Sequence, residues 1–206
     1  RRQRQMCIRD SIGILLVQSV INSFGSTAIA GYSAGMRIES LSIVPMLAMG
    51  NAMSTFTAQN MGAGKIDRVK EGYRMCYVIV LTAGAVLCIM YQLAGGAFVS
   101  LFLDSGSSEA YSVGLSYVKF LSFFYSFIGL KASTDGLLRG AGDVTAFTVA
   151  NLVNLAIRVS VTNLFAPIYG IQVAWMAVPL GWAANYVISF GWYLTGKWKK
   201  VRVIKK

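Results

Sequence analysis

The chain contains no histidine in 206 residues. That removes the usual proton shuttle near neutral pH and the commonest metal ligand, so Ser-His-Asp and zinc chemistries are not expected. Cysteine is nearly as scarce. Cys7, Cys76 and Cys88 show no metal-ligand spacing, and Cys76 and Cys88 fall in one apolar stretch, where a thiol acts as a small apolar filler. Charge is sparse too, at 13% of residues, roughly half the share typical of a soluble domain. Acid is the scarcer sign, with 8 Asp and Glu against 19 Lys and Arg and a net charge of +11.

What fills the chain instead is hydrocarbon. Apolar residues make up 55% of it and the mean hydropathy is +0.57. Long, almost charge-free stretches recur, each followed by a short polar break. They show no charged face of the kind a soluble amphipathic helix carries, and they approach the roughly 20 residues needed to cross about 30 Å of hydrocarbon. The expected fold is therefore all-α: a polytopic integral membrane bundle of six transmembrane helices.

The expected spans are Ile12 to Phe24 (short, and read as truncated), Thr27 to Phe56, Met75 to Leu101, Val118 to Leu138, Ala146 to Phe165 ahead of Pro167, and Val173 to Leu194. Between the second and third lies a polar break from Ala58 to Arg74. Ala110 to Tyr117 is expected near the interface, where Lys119 can snorkel. Residues 12–196 thus form a transmembrane lobe and residues 197–206 a basic tail. Arg1 to Ser11 differs in character from the rest and resembles translated sequencing-adapter read-through, a segment foreign to the protein. The competing reading is a signal peptide with a basic start, an apolar Ile12 to Ile21 and Ala28-Ile29-Ala30.

The cations are not spread evenly. Lys65, Arg68, Lys70 and Arg74 follow the second span, Arg139 follows the fourth, and Lys197, Lys199, Lys200, Arg202, Lys205 and Lys206 follow the sixth. With six spans these three places share one side. The breaks on the other side, Gly25-Ser26, Asp104 to Glu109 and Asn163 to Gly170, hold no Lys or Arg. This asymmetry puts the C-terminus in the cytoplasm, and Trp192 and Trp198 suit an interfacial belt at that end. It also turns the basic charge away from nucleic acid, which is not an expected partner, and toward a lipid bilayer.

Two turns on that side echo each other: Met61-Gly62-Ala63-Gly64-Lys65 and Arg139-Gly140-Ala141-Gly142-Asp143. Gly62, Gly64, Gly140 and Gly142 are expected to end one helix and turn into the next through positive φ. A phosphate-binding loop is the alternative, but neither turn continues into Lys-Ser or Lys-Thr.

Charges inside spans are costly and mark candidate sites. The second span carries Arg37 and Glu39, and at 100° per residue Ser33, Arg37, Ser40, Asn51 and Ser54 share one face, with Pro45 expected to kink the helix between the two halves of that stripe. The fourth span carries Lys131 and Asp135, four apart and able to neutralise each other. Asn151, Asn154, Arg158 and Thr162 stripe the fifth. Packing alone accounts for the Asn and Ser positions as well as function does. For Arg37, Glu39, Lys131, Asp135 and Arg158 together, a water-accessible cavity is expected.

Ile21 to Tyr32, Arg37-Ile-Glu-Ser40, Ala58-Gln-Asn-Met-Gly-Ala-Gly-Lys65 and Leu138-Arg-Gly-Ala-Gly-Asp143 resemble the C-terminal half of multidrug and toxic compound extrusion (MATE) transporters. The resemblance runs from about Ile12 to the end, and the paired Gly-Ala-Gly turns are its most specific part. It implies one lobe of a twelve-helix, two-lobe transporter in the plasma membrane of a prokaryote, partnered by an N-terminal lobe of the same chain. The lobes would rock around a central cavity and extrude cationic or amphiphilic compounds in exchange for Na⁺ or H⁺, with no other cofactor.

One departure bears on the coupling ion. Relatives place coupling carboxylates on the first helix of either lobe, and some have an acid deep in the tenth helix. The first span here has no acid, and Asp135 lies one turn from Arg139, outside that deep position. Glu39 and Asp135 are the candidate carboxylates of this half, with Arg37, Lys131 and Arg158 as their tuning or locking cations; the other half is the remaining place for a coupling acid. Three rivals remain. A lipid-linked glycan flippase would carry more cavity cations, an intramembrane enzyme would need a nucleophile, base or metal cluster absent here, and a non-transporting assembly subunit would leave the intramembrane charges idle.

Overall fold

From Ser26 to Gly62 the sequence carries one proline and two charged residues, and a single long helix results. A computed structural model describes residues 17–103 and 108–200 of the chain. Residues 17–22 are helical (α1). Then come α2 (Ser26–Gly62), α3 (Ile66–Ser100), α4 (Ser108–Ser122), α5 (Tyr125–Gly140), α6 (Val144–Tyr169), α7 (Gln172–Leu194) and a 3₁₀ turn at Lys197–Lys200. The described residues contain no strand. The expected leading segment 1–11, the start of the first span, residues 104–107 of the acidic break and the end of the tail lie outside the described residues.

The helices α2, α3, α6 and α7 are each long and apolar enough to cross a bilayer. The pair Glu109–Ser122 and Tyr125–Gly140, bent by 52° at a short break, brings the number of crossings to five when taken as one span. The outward apolar pattern is plain on α3, where Met75, Val78, Ile79, Val86, Ile89 and Leu93 are exposed while Val69, Tyr73, Cys76, Val80, Gly84 and Tyr91 are buried. At 100° per residue the exposed set falls on one face of the helix. An outward face of this kind is stable against hydrocarbon, not water.

Three expected boundaries are corrected. The polar break from Ala58 to Arg74 is mostly helix: only Ala63, Gly64 and Lys65 separate α2 from α3. Polar residues at a membrane surface extend a helix into water at little cost, so polarity there ends the span and not the helix. Val118 to Leu138 is not one helix, and Ala110 to Tyr117 already belongs to α4. No proline or glycine marks the α4–α5 break at Phe123 and Phe124. Its reason is tertiary, because both halves dock on α2. A Cβ on Gly31 would lie 2.4 Å from the Ala110 carbonyl oxygen, and one on Gly136 would lie 2.1 Å from that of Gly50. Such backbone approach is how helices associate where lipid removes the hydrophobic drive. Finally, α6 runs through Pro167 to Tyr169, a position at which the lost hydrogen bond falls in the last helical turn.

The two Gly-Ala-Gly turns match bond for bond. Ala63 N–H reaches Gln59 O (3.1 Å), Gly64 N–H reaches Met61 O (3.0 Å) and Lys65 N–H reaches Asn60 O (2.8 Å). Their counterparts run from Ala141 to Leu137 (2.9 Å), Gly142 to Arg139 (3.1 Å) and Asp143 to Leu138 (2.9 Å). Only the second glycine of each turn has positive φ, 70° at Gly64 and 85° at Gly142. Gly62 and Gly140 are ordinary helix-terminal residues in backbone terms, against the expectation. Gly140 is small for another reason, since a Cβ there would sit 2.2 Å from the Ser54 carbonyl oxygen of α2. Gly62 has nothing near it.

Candidate functional site

Lys131 and Asp135 stand one turn apart on α5, and their side chains meet at 3.4 Å with side-chain exposures of 14% and 6%. Two further helices complete the group. Ser189 of α7 donates its hydroxyl to Asp135 Oδ1 (2.6 Å), and Asn151 of α6 donates an amide N–H to Oδ2 (3.4 Å) and another to Phe147 O (2.8 Å). Lys131 also donates to Asn151 Oδ1 (3.2 Å). One buried carboxylate thus gathers a hydroxyl, an amide and an ammonium from three helices, which suits a group that holds charge in a low-dielectric site. The single Ser189 proton is committed to Asp135. The buried amide of Asn185, 3.4 Å from the Ser189 oxygen, therefore fits best as a donor to it, an arrangement that also gives a partner to a side-chain nitrogen otherwise without one.

The position of Asn151 follows from the turn before it. Asp143 caps α6 by accepting from Ala146 N–H (3.3 Å), and its other oxygen accepts from Trp192 Nε1 (2.7 Å) on α7. An Asp between a glycine turn and an apolar run is an N-cap signal; here it also ties α6 to Trp192 of α7.

Glu39 occupies a second group, built on α2, α4, α6 and α7. It accepts a short hydrogen bond from the Tyr117 hydroxyl. Tyr117 is packed edge-on between Tyr32 (5.3 Å between centroids) and Trp175 (5.6 Å). The charge of Arg158 acts on both Glu39 and Tyr32, yet no ion pair closes between Glu39 and Arg158 among the described residues. Arg158 and Asn154 lie against Gly181 of α7, where an added Cβ would be 2.2 Å from Asn154 Oδ1 and 3.0 Å from Arg158 Cγ. That Asn154 oxygen is buried without a hydrogen-bond partner, as are Thr162 Oγ1 and Trp175 Nε1.

The remaining expected site residues separate from these two groups. Arg37 is exposed, with its guanidinium 6.0 Å from the Phe102 ring centroid. Asn51 and Ser54 belong with Arg139, which donates to Asn51 Oδ1 (2.8 Å) and to Ser54 Oγ (3.4 Å) while lying 5.7 Å from the Phe147 ring centroid. The polar stripe of α2 thus serves two ends of the helix, and the five intramembrane charges divide into an Asp135 group, a Glu39 group and an outlying Arg37. An open cleft of about 230 Å³ at the α4–α5 break is lined by Phe120, Phe124, Phe127 and Pro179 among other apolar residues and includes none of these charges.

Several residues of these groups escaped the sequence. Ser189, Asn185 and Tyr117 lie in apolar runs with nothing local to distinguish them. A third cluster, in which Thr134 Oγ1 is 2.7 Å from the Tyr73 hydroxyl and 2.8 Å from that of Tyr77, was equally silent. Both described cysteines are free, and Cys76 donates its thiol to Ser133 (3.1 Å).

Known proteins share this architecture. The chain is 28% identical over 192 residues to the probable multidrug resistance protein YpnP of Bacillus subtilis, covering 93% of this chain and 43% of that one. It is 22% identical to the probable multidrug resistance protein NorM of Thermotoga maritima, covering 95% and 42%. Among solved structures it superposes on a MOP superfamily transporter from Pyrococcus furiosus with a TM-score of 0.81 at 16% identity, over 93% of this chain and 42% of that one. It superposes on the outward-facing conformation of a multidrug resistance MATE family transporter with a TM-score of 0.83 at 17% identity, over 96% and 44%. The chain therefore spans less than half the length of the relatives it matches. The MatE family model matches residues 5–165, and together with the membrane-spanning helices this makes the chain an integral membrane protein that belongs to the MatE family.

Proposed function

We propose that this chain is one lobe of a two-lobe secondary transporter that exports cationic or amphiphilic compounds by alternating access, in exchange for Na⁺ or H⁺. The observation that carries the reading, beside family membership, is the Asp135 group: a carboxylate nine-tenths or more buried, joined to three helices, with Lys131 as its internal counter-ion. A charge at such depth is tolerated only while paired. A coupling cation or proton that displaced Lys131 would leave the carboxylate neutralised and free the ammonium, a change in charge pairing that biases one arrangement of α5, α6 and α7 over another. The Glu39–Tyr117 group, with Arg158 in range but unbonded, supports a second station that changes partners as the lobes move. The C-terminus lies in the cytoplasm in this reading, and the N-terminal lobe of the same protein supplies the other wall of the substrate cavity.

The test uses the full-length protein in cells loaded with a fluorescent cationic dye. Asp135→Asn and Glu39→Gln are expected to reduce ion-gradient-driven efflux at unchanged membrane abundance. Normal efflux by both variants sinks the coupling role of these carboxylates, and efflux indifferent to Na⁺ and H⁺ gradients sinks the antiport reading.

A further inference from the structure

The described start of the basic tail, Lys197–Lys200, folds back against the end of α7, and Trp198 is the reason. The Trp198 ring is fully buried, donates its Nε1–H to Tyr193 O (3.0 Å) and stacks on the Tyr193 ring at 5.6 Å between centroids and 13° between planes. Tyr193 packs in turn on Tyr73 of α3 (4.6 Å). The 3₁₀ turn at Lys197–Lys200 is thereby tied through Tyr193 to Tyr73, next to Arg74 on α3, so cations far apart in sequence share one surface.

That surface carries an excess of positive charge. Asp67 is taken by Lys70 (2.7 Å). Lys65, Arg68, Arg74, Lys197 and Lys199 are exposed and make no ion pair among the described residues; the further acids are Glu71 on α3 and Asp143, which is held by the Trp192 indole. Two of the tail lysines are steadied by aromatic faces, Lys197 at 5.3 Å from the Trp192 ring centroid and Lys199 at 5.7 Å from that of Trp198. Immediately beyond, Met75 and Leu194 are exposed apolar residues, where hydrocarbon begins. Cations directly above an apolar belt, flanked by tryptophans, sit at headgroup depth.

We propose that the folded tail and the first turns of α3 form a docking surface for the phosphate headgroups of anionic phospholipids, with Trp198 holding the two halves of the surface together. It requires nothing of what the protein transports. General attraction of scattered lysines to a membrane would depend on charge count alone; a built surface depends also on the neutral Trp198, which adds no charge and only fixes geometry.

The test compares the full-length protein in phosphatidylcholine vesicles with and without phosphatidylglycerol, reading the apparent Tm and, by native mass spectrometry, the anionic lipid retained. Phosphatidylglycerol is expected to raise the Tm and to be retained. Lys197→Gln with Lys199→Gln is expected to weaken retention about 25-fold, at about fivefold per basic residue near the surface. Trp198→Ala is expected to weaken it by a similar factor while keeping every charge. Retention unchanged in the lysine variant refutes the surface outright. Loss with the lysines but not with Trp198→Ala refutes the built geometry and leaves scattered attraction, and an equal Tm rise from free glycerol phosphate in detergent refutes the lipid as the partner.

Discussion

Replacing Lys131 with Met removes the one cation within 4 Å of Asp135 among the described residues while keeping the length and apolar stem of the side chain. Asp135 would retain the Ser189 and Asn151 bonds but stand as an uncompensated buried charge. Breaking a buried pair in this one-sided way costs about 3–5 kcal/mol. At about 2 °C per kcal/mol for a protein of this size or larger, the apparent Tm should fall by roughly 6–10 °C. Asp135→Asn alone should cost less, because Lys131 is the more exposed partner, at 14% against 6%, and its long stem lets the ammonium shift toward water. The informative variant is the pair together. With both charges gone no ion is stranded, so Lys131→Met/Asp135→Asn should be more stable than Lys131→Met alone, a coupling on the order of 1–3 kcal/mol. Thermal unfolding of the four proteins in one detergent, followed by a thiol-reactive dye, measures this cycle. A double variant whose loss equals the sum of the single losses within about 0.5 kcal/mol would falsify the pairing and, with it, the idea that Lys131 is what a coupling ion must displace.

The glycine turns give a contrast within one motif. Gly64→Ala and Gly142→Ala force an L side chain into positive φ and should each cost on the order of 1 kcal/mol. Gly62→Ala, at an ordinary helical position with nothing within 4 Å, should be neutral or slightly stabilising in the same thermal assay. Asp143→Ala removes the α6 cap and leaves the Trp192 indole N–H without its acceptor. A loss of about 1–2 kcal/mol is expected, together with a change in Trp192 fluorescence that a Gly142 variant would not produce.

The helical membrane class was legible at once, because hydrocarbon run length is a property of consecutive residues. The Lys131–Asp135 pair was equally legible, since four residues on a helix make neighbours by geometry alone. The continuity of α2 to Gly62 and of α6 through Pro167 was not, because polar residues and a terminal proline end a span without ending a helix. The grouping of charges was harder still. A stripe drawn on α2 placed Arg37 and Asn51 together, yet Asn51 answers Arg139 from α5 and Arg37 lies by Phe102. One-helix periodicity says which residues share a face and nothing about which helix that face meets.

By itself the sequence determined the helical membrane class, the gathering of cations in the breaks and the two matching helix ends, all set by local chemistry: hydrophobicity, charge and the backbone freedom of Gly64 and Gly142. The tertiary structure alone decided the rest. It broke α4 from α5 where both dock on the glycines of α2, brought Ser189 and Asn151 to Asp135 and folded Trp198 beneath Tyr193. These contacts join residues tens of positions apart, and the close approach of helix backbones that brings them together depends on the shape of several helices at once.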